Sequence, residues 1–263
     1  MKDTFYIYGK YAVLSALENK PGCVLSIYLT DKHNTDANVN SIIGSAKLKN
    51  PKMEVQDFDR NHLPLDLLAE IDAFGTHQNI IARISAGKLV LDGKDFLEKF
   101  DSKPNSLFVI LGEINDPQNV GAIIRSAGAF GVDAVFIPEH NQAPITGSVI
   151  KVSAGAAFTV PLVSIGNINQ TIKTLKDKRF WIYGLESADE AALASFENKK
   201  IFDESFTEPT AFIIGSEHDG IREKTREHCD LLLSIPITKE VESLNAATSA
   251  SIAFYEFRRQ NKI

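Results

Sequence analysis

Residues 107–137 read LFVILGEINDPQNVGAIIRSAGAFGVDAVFI, and this stretch decides the predicted fold. It begins and ends with apolar runs, Leu107–Leu111 and Ala134–Ile137, and short runs of this kind are typical of buried strands. Between them, Pro117 marks the start of a helix. This helix is predicted to be slim and closely packed because small residues recur along it: Gly121, Ala122, Ala127, Gly128 and Ala129.

The same alternation of strand and helix continues to the end of the chain. Strands are predicted at Phe180–Tyr183, Ala211–Ile214 and Leu231–Ile235, and the last helix at Ala246–Arg259. Strands that alternate with helices form a mostly parallel sheet with helices on both faces. Ligands bind in such sheets beyond the carboxyl ends of the strands, so the loops after the strands are the candidate site. Residues 106–263 are therefore expected to form one α/β domain.

The first 86 residues predict a second, smaller α/β domain. Residues 87–105, which carry lysines, glycine and Pro104, are predicted to be a linker with a short helical piece over Lys94–Phe100. The elements predicted within the first domain are a helix at Lys10–Glu18, a strand at Val24–Thr30, a helix through Ile42, Ile43 and Ala46, a strand at Met53–Phe58, a helix at Pro64–Ile71 and a strand at Asn79–Ile84.

The composition indicates a globular protein of the reducing cytoplasm. Of 263 residues, 44% are hydrophobic and 24% are charged, and no run of about 18 apolar residues predicts a membrane span. Patterned structure begins at the first residues, which leaves no room for a signal or transit peptide. Cys23 and Cys229 lie far apart and the six histidines are scattered, so neither a disulfide scaffold nor a metal site is expected.

Charge and loop sequences limit the classes of ligand. A formal net charge of −6 argues against binding nucleic acid through bulk charge, but it leaves room for a local basic patch. The glycines of residues 112–137 do not spell G-x-G-x-x-G, so a nicotinamide-binding fingerprint is absent. Residues 215–223 read GSEHDGIRE, in which Ile221 and Arg222 stand where a phosphate-binding P-loop needs Lys and then Ser or Thr.

Taken one at a time, the polar residues of these loops have structural explanations. Arg125 fits an ordinary solvated arginine, and Asn119 fits a helix cap. Glu217 fits a first-turn acid that the helix dipole favours, and Ser243 or Asn245 fits the cap of the last helix. Because each residue is ambiguous alone, the function has to be judged from the loops together.

Taken together, three segments resemble the three motifs of the SpoU/TrmH family, which are RNA ribose 2′-O-methyltransferases of the SPOUT class. They are NDPQNVGAIIRSAGAFG (115–131), IIGSEHDGI (213–221) and SIPITKEVESLNAATSASIAFYE (234–256), in that order. Two N-terminal segments, IYGKYAVLSAL (7–17) and THQNIIA (76–82), also resemble the substrate-binding domain of members that methylate a guanosine in large-subunit ribosomal RNA.

The resemblance implies a trefoil knot in the C-terminal segment, with S-adenosyl-L-methionine bound in the knotted loops. It also implies a homodimer with active sites beside the interface, and a first domain that binds the RNA substrate. No metal is implied, because the cofactor already carries an activated methyl group. The resemblance assigns catalytic roles to Asn119, Arg125, Glu217, Ser243 and Asn245, and cofactor binding through the backbone to Gly215, Ile235 and Leu244.

Two departures from the family pattern bear on the substrate. His77-Gln78-Asn79 stands where the family usually has H-Q-G, so the turn there can differ. His218-Asp219 replaces the commoner small residues after the acid of the second motif, which adds negative charge near the RNA. Both departures leave the cofactor site intact.

Several alternatives stay open at the level of the sequence. The target is expected to be ribosomal rather than transfer RNA, because the N-terminal unit is globular instead of a short basic tail. A non-catalytic RNA-binding or ribosome-assembly protein of the same fold is the alternative from another class. Arg125 either removes the hydroxyl proton or orients a phosphate, and Glu217 either holds Arg125 or binds a cofactor amine. The lysines that could contact phosphate, or could be ordinary solvated lysines, are Lys10, Lys32, Lys47, Lys49 and Lys52.

Overall fold

The computed structural model describes residues 3–29, 37–57, 80–187, 196–216, 220–238, 240–241 and 243–262. The described strands are β1 (Thr4–Tyr8), β2 (Val24–Leu29), β3 (Glu54–Asp57), β4 (Ile80–Ser85), β5 (Val90–Asp92), β6 (Leu107–Gly112), β7 (Ala134–Pro138), β8 (Leu162–Ile165), β9 (Trp181–Glu186), β10 (Asn198–Lys200), β11 (Thr210–Gly215) and β12 (Leu231–Ser234). The described α-helices are α1 (Lys10–Asn19), α2 (Ala37–Lys49), α3 (Ala86–Leu89), α4 (Gly93–Lys99), α5 (Pro117–Ala129), α6 (Gly147–Val152), α7 (Ile168–Asp177), α8 (Glu223–Arg226) and α9 (Ala246–Asn261).

Contacts divide the chain into two compact units. The first comprises Met1–Val90 and Pro144–Thr159, and the second comprises Leu91–Ala143 and Val160–Ile263. The first unit is built on a four-stranded sheet with the order β1-β4-β2-β3. Strand β4 runs antiparallel to β1 and β2, whereas β2 and β3 are parallel and are joined through α2.

Helix α1 packs on this sheet with Val13, Ala16 and Leu17 buried, because these positions recur at helical spacing on one face. The helices and strands predicted in the first domain are confirmed as α1, α2, β2, β3 and β4, with small shifts of their ends. The predicted helix Pro64–Ile71 lies outside the described residues. Strand β1 was not predicted, because it is held by antiparallel pairing with β4, far away along the chain.

The segment Pro144–Thr159, which lies between β7 and β8 in the sequence, is part of the first unit. Gly147 packs so closely on β1 that an added Cβ would lie 2.2 Å from the carbonyl oxygen of Tyr6. The hydroxyl of Ser15 donates to the carbonyl oxygen of Gly155 at 3.0 Å. The expected single domain 106–263 is therefore interrupted. Contacts through glycine backbone leave little hydrophobic pattern, so they could not be predicted from the sequence.

The second unit contains an eight-stranded sheet with the order β10-β12-β9-β11-β6-β7-β8-β5. Neighbouring strands from β10 to β8 are all parallel, which confirms the predicted α/β sheet. In its core, the ring of Phe108 stacks on Phe180 with 4.5 Å between centroids and meets the edge of Phe136 at 5.0 Å. Every strand predicted after residue 106 is confirmed. Strands β8 and β10 were missed: β8 is a short strand that directly follows Pro161, and β10 is an exposed Asn-Lys-Lys edge without an apolar pattern.

Residues 87–105 are not a linker, contrary to the prediction. The stretch forms the end of α3, strand β5 and helix α4, and the predicted helical piece is confirmed as α4. Phe96 and Phe100 pack against the buried cluster around Phe108, and Leu97 belongs to that cluster. The linker was predicted because of the lysines and glycine in this stretch, but Phe96, Leu97 and Phe100 bury α4 against the sheet.

Helices α5 and α9 pack against each other in the second unit. Their close approach is possible because α9 presents small residues, among which Ala250 and Ala253 are fully buried. The hydroxyls of Ser126 and Ser251 lie 2.7 Å apart between the two helices. In the described parts of the chain, no helix is both long and apolar enough to cross a membrane.

Candidate functional site

Four neighbouring strands of the second unit end at one edge of the sheet. Gly112, the last residue of β6, pairs with Gly215, the last residue of β11. Glu186 and Ser234, the last residues of β9 and β12, pair with each other. Since β12, β9, β11 and β6 are adjacent and parallel, the three loops that carry the sequence motifs all start at this edge.

The backbone at this edge is free of side chains where β6 meets β11. A Cβ on Gly112 would lie 2.8 Å from the carbonyl oxygen of Ile214 and 3.3 Å from the Cα of Gly215. A Cβ on Gly215 would lie 2.3 Å from the carbonyl carbon of Gly220. Only glycine fits at these two positions, because the neighbouring backbone already occupies the space that a side chain would need.

The loop after β11 is closed by backbone hydrogen bonds between its two described ends. The N–H of Ser216 donates to the carbonyl oxygen of Gly220 at 3.0 Å, and the N–H of Gly220 donates back at 3.2 Å. Gly220 has a φ of +61°, which favours glycine. Glu217, His218 and Asp219 lie outside the described residues, so the role expected for Glu217 stays a prediction.

Glu186 is a half-buried acid at this edge that the sequence did not point to. Its Oε1 accepts a hydrogen bond from the backbone N–H of Ile221 at 2.9 Å, and Arg226 Nε lies 3.9 Å from the same oxygen. Burial raises the pKa of Glu186, while the Ile221 hydrogen bond and the charge of Arg226 oppose this rise. The strand was predicted to end at Tyr183, so the sequence did not identify Glu186 as a strand-end residue.

Glu113 and Arg222 form a second acidic contact that was not predicted. Glu113 directly follows β6 and has a φ of +66°, and its carboxylate pairs with the guanidinium of Arg222. Arg222 follows Ile221 in the loop after β11. This ion pair therefore joins the loops that carry the first and second motifs.

Two of the predicted site residues are in direct contact. Asn119 lies on α5 and is 7% exposed, and its Oδ1 accepts a hydrogen bond from Nδ2 of Asn245 at 2.7 Å. The Oδ1 of Asn245 in turn accepts from the N–H groups of Ala247 and Thr248, so Asn245 caps α9 as the sequence allowed. Asn119 is not a helix cap, because Asp116 fills that role for α5.

The remaining predicted residues lie on the same two loops without a described contact that joins them. Arg125 is exposed on α5 and, among the residues that the structure describes, makes no hydrogen bond or ion pair. Ser243 is exposed just before the α9 cap, and Leu244 is partly buried beside it. Ile235, also partly buried, directly follows β12. Within the described residues, no group of three or more His, Cys, Asp or Glu side chains could hold a metal ion.

A mostly parallel sheet with glycines at the carboxyl ends of its central strands is typical of α/β proteins that bind their ligands at that edge. Residues 106–255 match the SpoU rRNA Methylase family. With this match over more than half of its length, and with relatives above 30% identity, the chain belongs to that family.

The curated relatives match nearly the whole chain. A protein of Neisseria meningitidis named 23S rRNA (guanosine-2′-O-)-methyltransferase RlmB is 35% identical over 254 residues, which span 97% of this chain and 94% of that protein. A protein of the same name from Haemophilus ducreyi is 36% identical over 255 residues and 97% of each chain.

Solved structures share the fold at lower identity. The SpoU methyltransferase AviRb from Streptomyces viridochromogenes, in complex with the cofactor AdoMet, has a TM-score of 0.77 at 23% identity and covers 99% of this chain and 91% of its own. The AdoMet-bound rRNA methyltransferase from Sinorhizobium meliloti has a TM-score of 0.77 at 17% identity, covering 98% of this chain and 87% of its own.

Proposed function

We propose that the chain is an S-adenosylmethionine-dependent methyltransferase that modifies the ribose 2′-hydroxyl of a guanosine in 23S ribosomal RNA. The observation that carries this proposal is the hydrogen bond between Asn119 and Asn245. It joins the first and third motifs of the SpoU family beside the glycine-lined edge of the sheet. The names of the curated relatives support the substrate.

The cofactor would be held by backbone groups of Gly215, Ile235 and Leu244. The close backbone packing at Gly112 and Gly215 would support this role, because a side chain at either position would displace the neighbouring backbone that shapes the strand ends. When bound, S-adenosylmethionine supplies a methyl group on a positively charged sulfur, which is chemistry that needs no metal. The chain's own residues then have to orient the ribose oxygen towards that methyl group and handle the hydroxyl proton.

Arg125 would orient the RNA rather than act as the base. An exposed guanidinium offers a planar set of N–H donors that binds phosphate oxygens well. Asn119, Ser243 and Asn245 are neutral hydrogen-bonding groups that would fix the ribose and the methionine part of the cofactor. Glu217 would hold Arg125 or a cofactor amine through a charge-assisted hydrogen bond.

The first unit would bind the ribosomal RNA substrate. Lys47, Lys49 and Lys52 are exposed at and after the end of α2, where they could contact phosphates. Tyr11 on the neighbouring α1 is 81% exposed and offers a ring on which a base could stack. Lys10, partly buried on α1, is a further candidate, and Lys32 lies outside the described residues.

The finer architecture is also proposed from family membership. The chain after β12 would be threaded into a trefoil knot, and two chains would form a homodimer with the active sites beside the interface. The enzyme would act in the cytoplasm, where ribosomal RNA is modified.

The test is transfer of labelled methyl from S-adenosylmethionine to ribosomal and transfer RNA by the full-length chain. Arg125→Ala is compared with Arg179→Ala, which removes an exposed arginine just before β9, at the opposite edge of the sheet. Label at one alkali-resistant linkage of 23S RNA, lost in Arg125→Ala and kept in Arg179→Ala, is the expected result. Label on transfer RNA alone would contradict the substrate. No label and no cofactor binding would support a non-catalytic protein.

A further inference from the structure

Glu186 contacts the loop after β11 rather than the core of its own strand. Its side chain is 12% exposed, and Oε1 accepts the backbone N–H of Ile221, which is itself buried. Its other oxygen, Oε2, would lie 2.8 Å from a Cβ at Gly220. The carboxylate is thus in contact with two consecutive residues of the loop.

Gly220 connects this contact to the proposed cofactor site. The backbone of Gly220 packs on Gly215, since a Cβ on Gly215 would come within 2.3 to 2.6 Å of Gly220 and the nitrogen of Ile221. Any movement of Gly220 away from Glu186 would therefore change the surface that Gly215 presents at the strand end. The chain of contacts runs from β9, through the loop, to the end of β11.

Arg226 gives the carboxylate a fixed charge partner. Its Nε is buried and has no hydrogen-bond partner in the described part of the chain, and it lies 3.9 Å from Glu186 Oε1. The guanidinium also stacks over the ring of Phe196 at 5.7 Å. A half-buried guanidinium needs a nearby negative charge, and among its described contacts Glu186 supplies it.

We infer that Glu186 is a positioning residue for the cofactor: it holds the Gly220–Ile221 end of the loop against Gly215 and so sets the affinity for S-adenosylmethionine. This inference rests on the proposed function. Glu186 acts through the loop and carries no part of the methyl transfer. Glu186 lies on β9, outside the three motifs, and its carboxylate contacts the loop that carries the second motif.

Isothermal titration calorimetry would give the dissociation constant of S-adenosylmethionine for the full-length wild type, Glu186→Ala, Glu186→Gln and Glu208→Ala. Glu208 is an exposed acid just before β11, at the opposite edge of the sheet, and serves as the control. Glu186→Ala should raise the dissociation constant about tenfold or more, because the buried N–H of Ile221 loses its acceptor. Glu186→Gln should stay within about threefold, because its amide oxygen can accept the same hydrogen bond.

Steady-state kinetics separate positioning from a general loss of structure. In Glu186→Ala, KM for S-adenosylmethionine should rise, while kcat at saturating cofactor and KM for RNA stay within about threefold of wild type. If Glu186→Ala does not fold, Glu186→Asp tests the same contact, because its carboxylate is one methylene shorter and draws back from the N–H of Ile221. The same rise in the dissociation constant is expected.

The outcomes distinguish this inference from the proposed function. A folded wild type that does not bind S-adenosylmethionine overturns both. A wild type that binds S-adenosylmethionine, with equal affinity in Glu186→Ala or, if that variant does not fold, in Glu186→Asp, overturns the inference alone. Equal losses in Glu186→Gln and Glu186→Ala overturn the role of the hydrogen bond to Ile221.

Discussion

Replacing Asn245 with alanine removes two kinds of contact at once. The Oδ1 of Asn245 caps α9 by accepting from the N–H groups of Ala247 at 2.9 Å and Thr248 at 3.2 Å. Its Nδ2 donates to the buried Asn119 at 2.7 Å. Loss of an N-cap costs about 1 kcal/mol, and loss of a donor to a buried acceptor costs about 1–3 kcal/mol more. The free energy of unfolding of the second unit should therefore fall by about 2–4 kcal/mol.

The assay is urea denaturation followed by the fluorescence of Trp181. It is the chain's one tryptophan and lies in β9, so its signal reports on the second unit. The matched control is Asn167→Ala, which removes the N-cap of α7 in the same unit, where Oδ1 accepts from the N–H of Gln170 at 2.9 Å. This variant should lose about 1 kcal/mol, because only a cap is removed.

Equal losses of stability in Asn245→Ala and Asn167→Ala would contradict this prediction, because the contact with Asn119 would then contribute nothing. A double-mutant cycle gives a second check. If Asn119→Ala and Asn245→Ala are additive to within about 0.5 kcal/mol, the two side chains do not interact in solution as the structure describes.

Three further predictions use other parts of the fold. Gly112→Ala should lower the free energy of unfolding by about 1–3 kcal/mol, because its Cβ would meet the backbone of β11. Gly44→Ala, on the open face of α2, should raise the free energy of unfolding by up to about 1 kcal/mol. Both are measured by denaturation followed by circular dichroism. Arg258→Met should lower the free energy of unfolding by about 2–4 kcal/mol in the same assay, because the buried guanidinium donates to the carbonyl oxygens of Phe130 and Gly131. Its control, Arg259→Ala, removes an exposed side chain and should lower the free energy of unfolding by less than about 1 kcal/mol. Because burial raises the pKa of Glu186 above its ordinary 4.5, with Arg226 opposing the rise, the folded chain holds this proton more tightly than the unfolded chain. The melting temperature of wild type relative to Glu186→Gln should then fall as the pH rises from about 4.5 towards about 7, and a rise would contradict burial as the main cause.

The sequence was sufficient for the central strands of the second sheet because they are buried on both faces. Runs such as Leu107–Leu111 and Ala211–Ile214 are apolar throughout, so they can be recognised as buried strands without knowing their neighbours in the sheet. Strands at an edge of this sheet, and strands that depend on a partner distant in the sequence, were not predicted. The exposed strand Asn198–Lys200 has no apolar pattern, and Thr4–Tyr8 depends on a partner far along the chain.

The candidate site divides in the same way. Asn119 and Asn245 could be named from the motifs, and the structure brings them into contact. Glu113 and Glu186 could not, because each contacts the backbone or the charge of a residue in the loop that follows another strand. Such acids leave no spacing signature, since their partners are fixed by the order of the strands in the sheet.

The segment Pro144–Thr159 has a consequence for synthesis on the ribosome. The first unit is discontinuous in the sequence, so it is incomplete until residue 159 has emerged, after β5, β6 and β7 have been made. Domains usually fold in order from the amino terminus, but here the first unit cannot finish before the second has begun. A fragment cut at Val90 would lack the backbone that packs on Tyr6 and Ser15, and nascent chains arrested before and after residue 159 should differ in their resistance to protease.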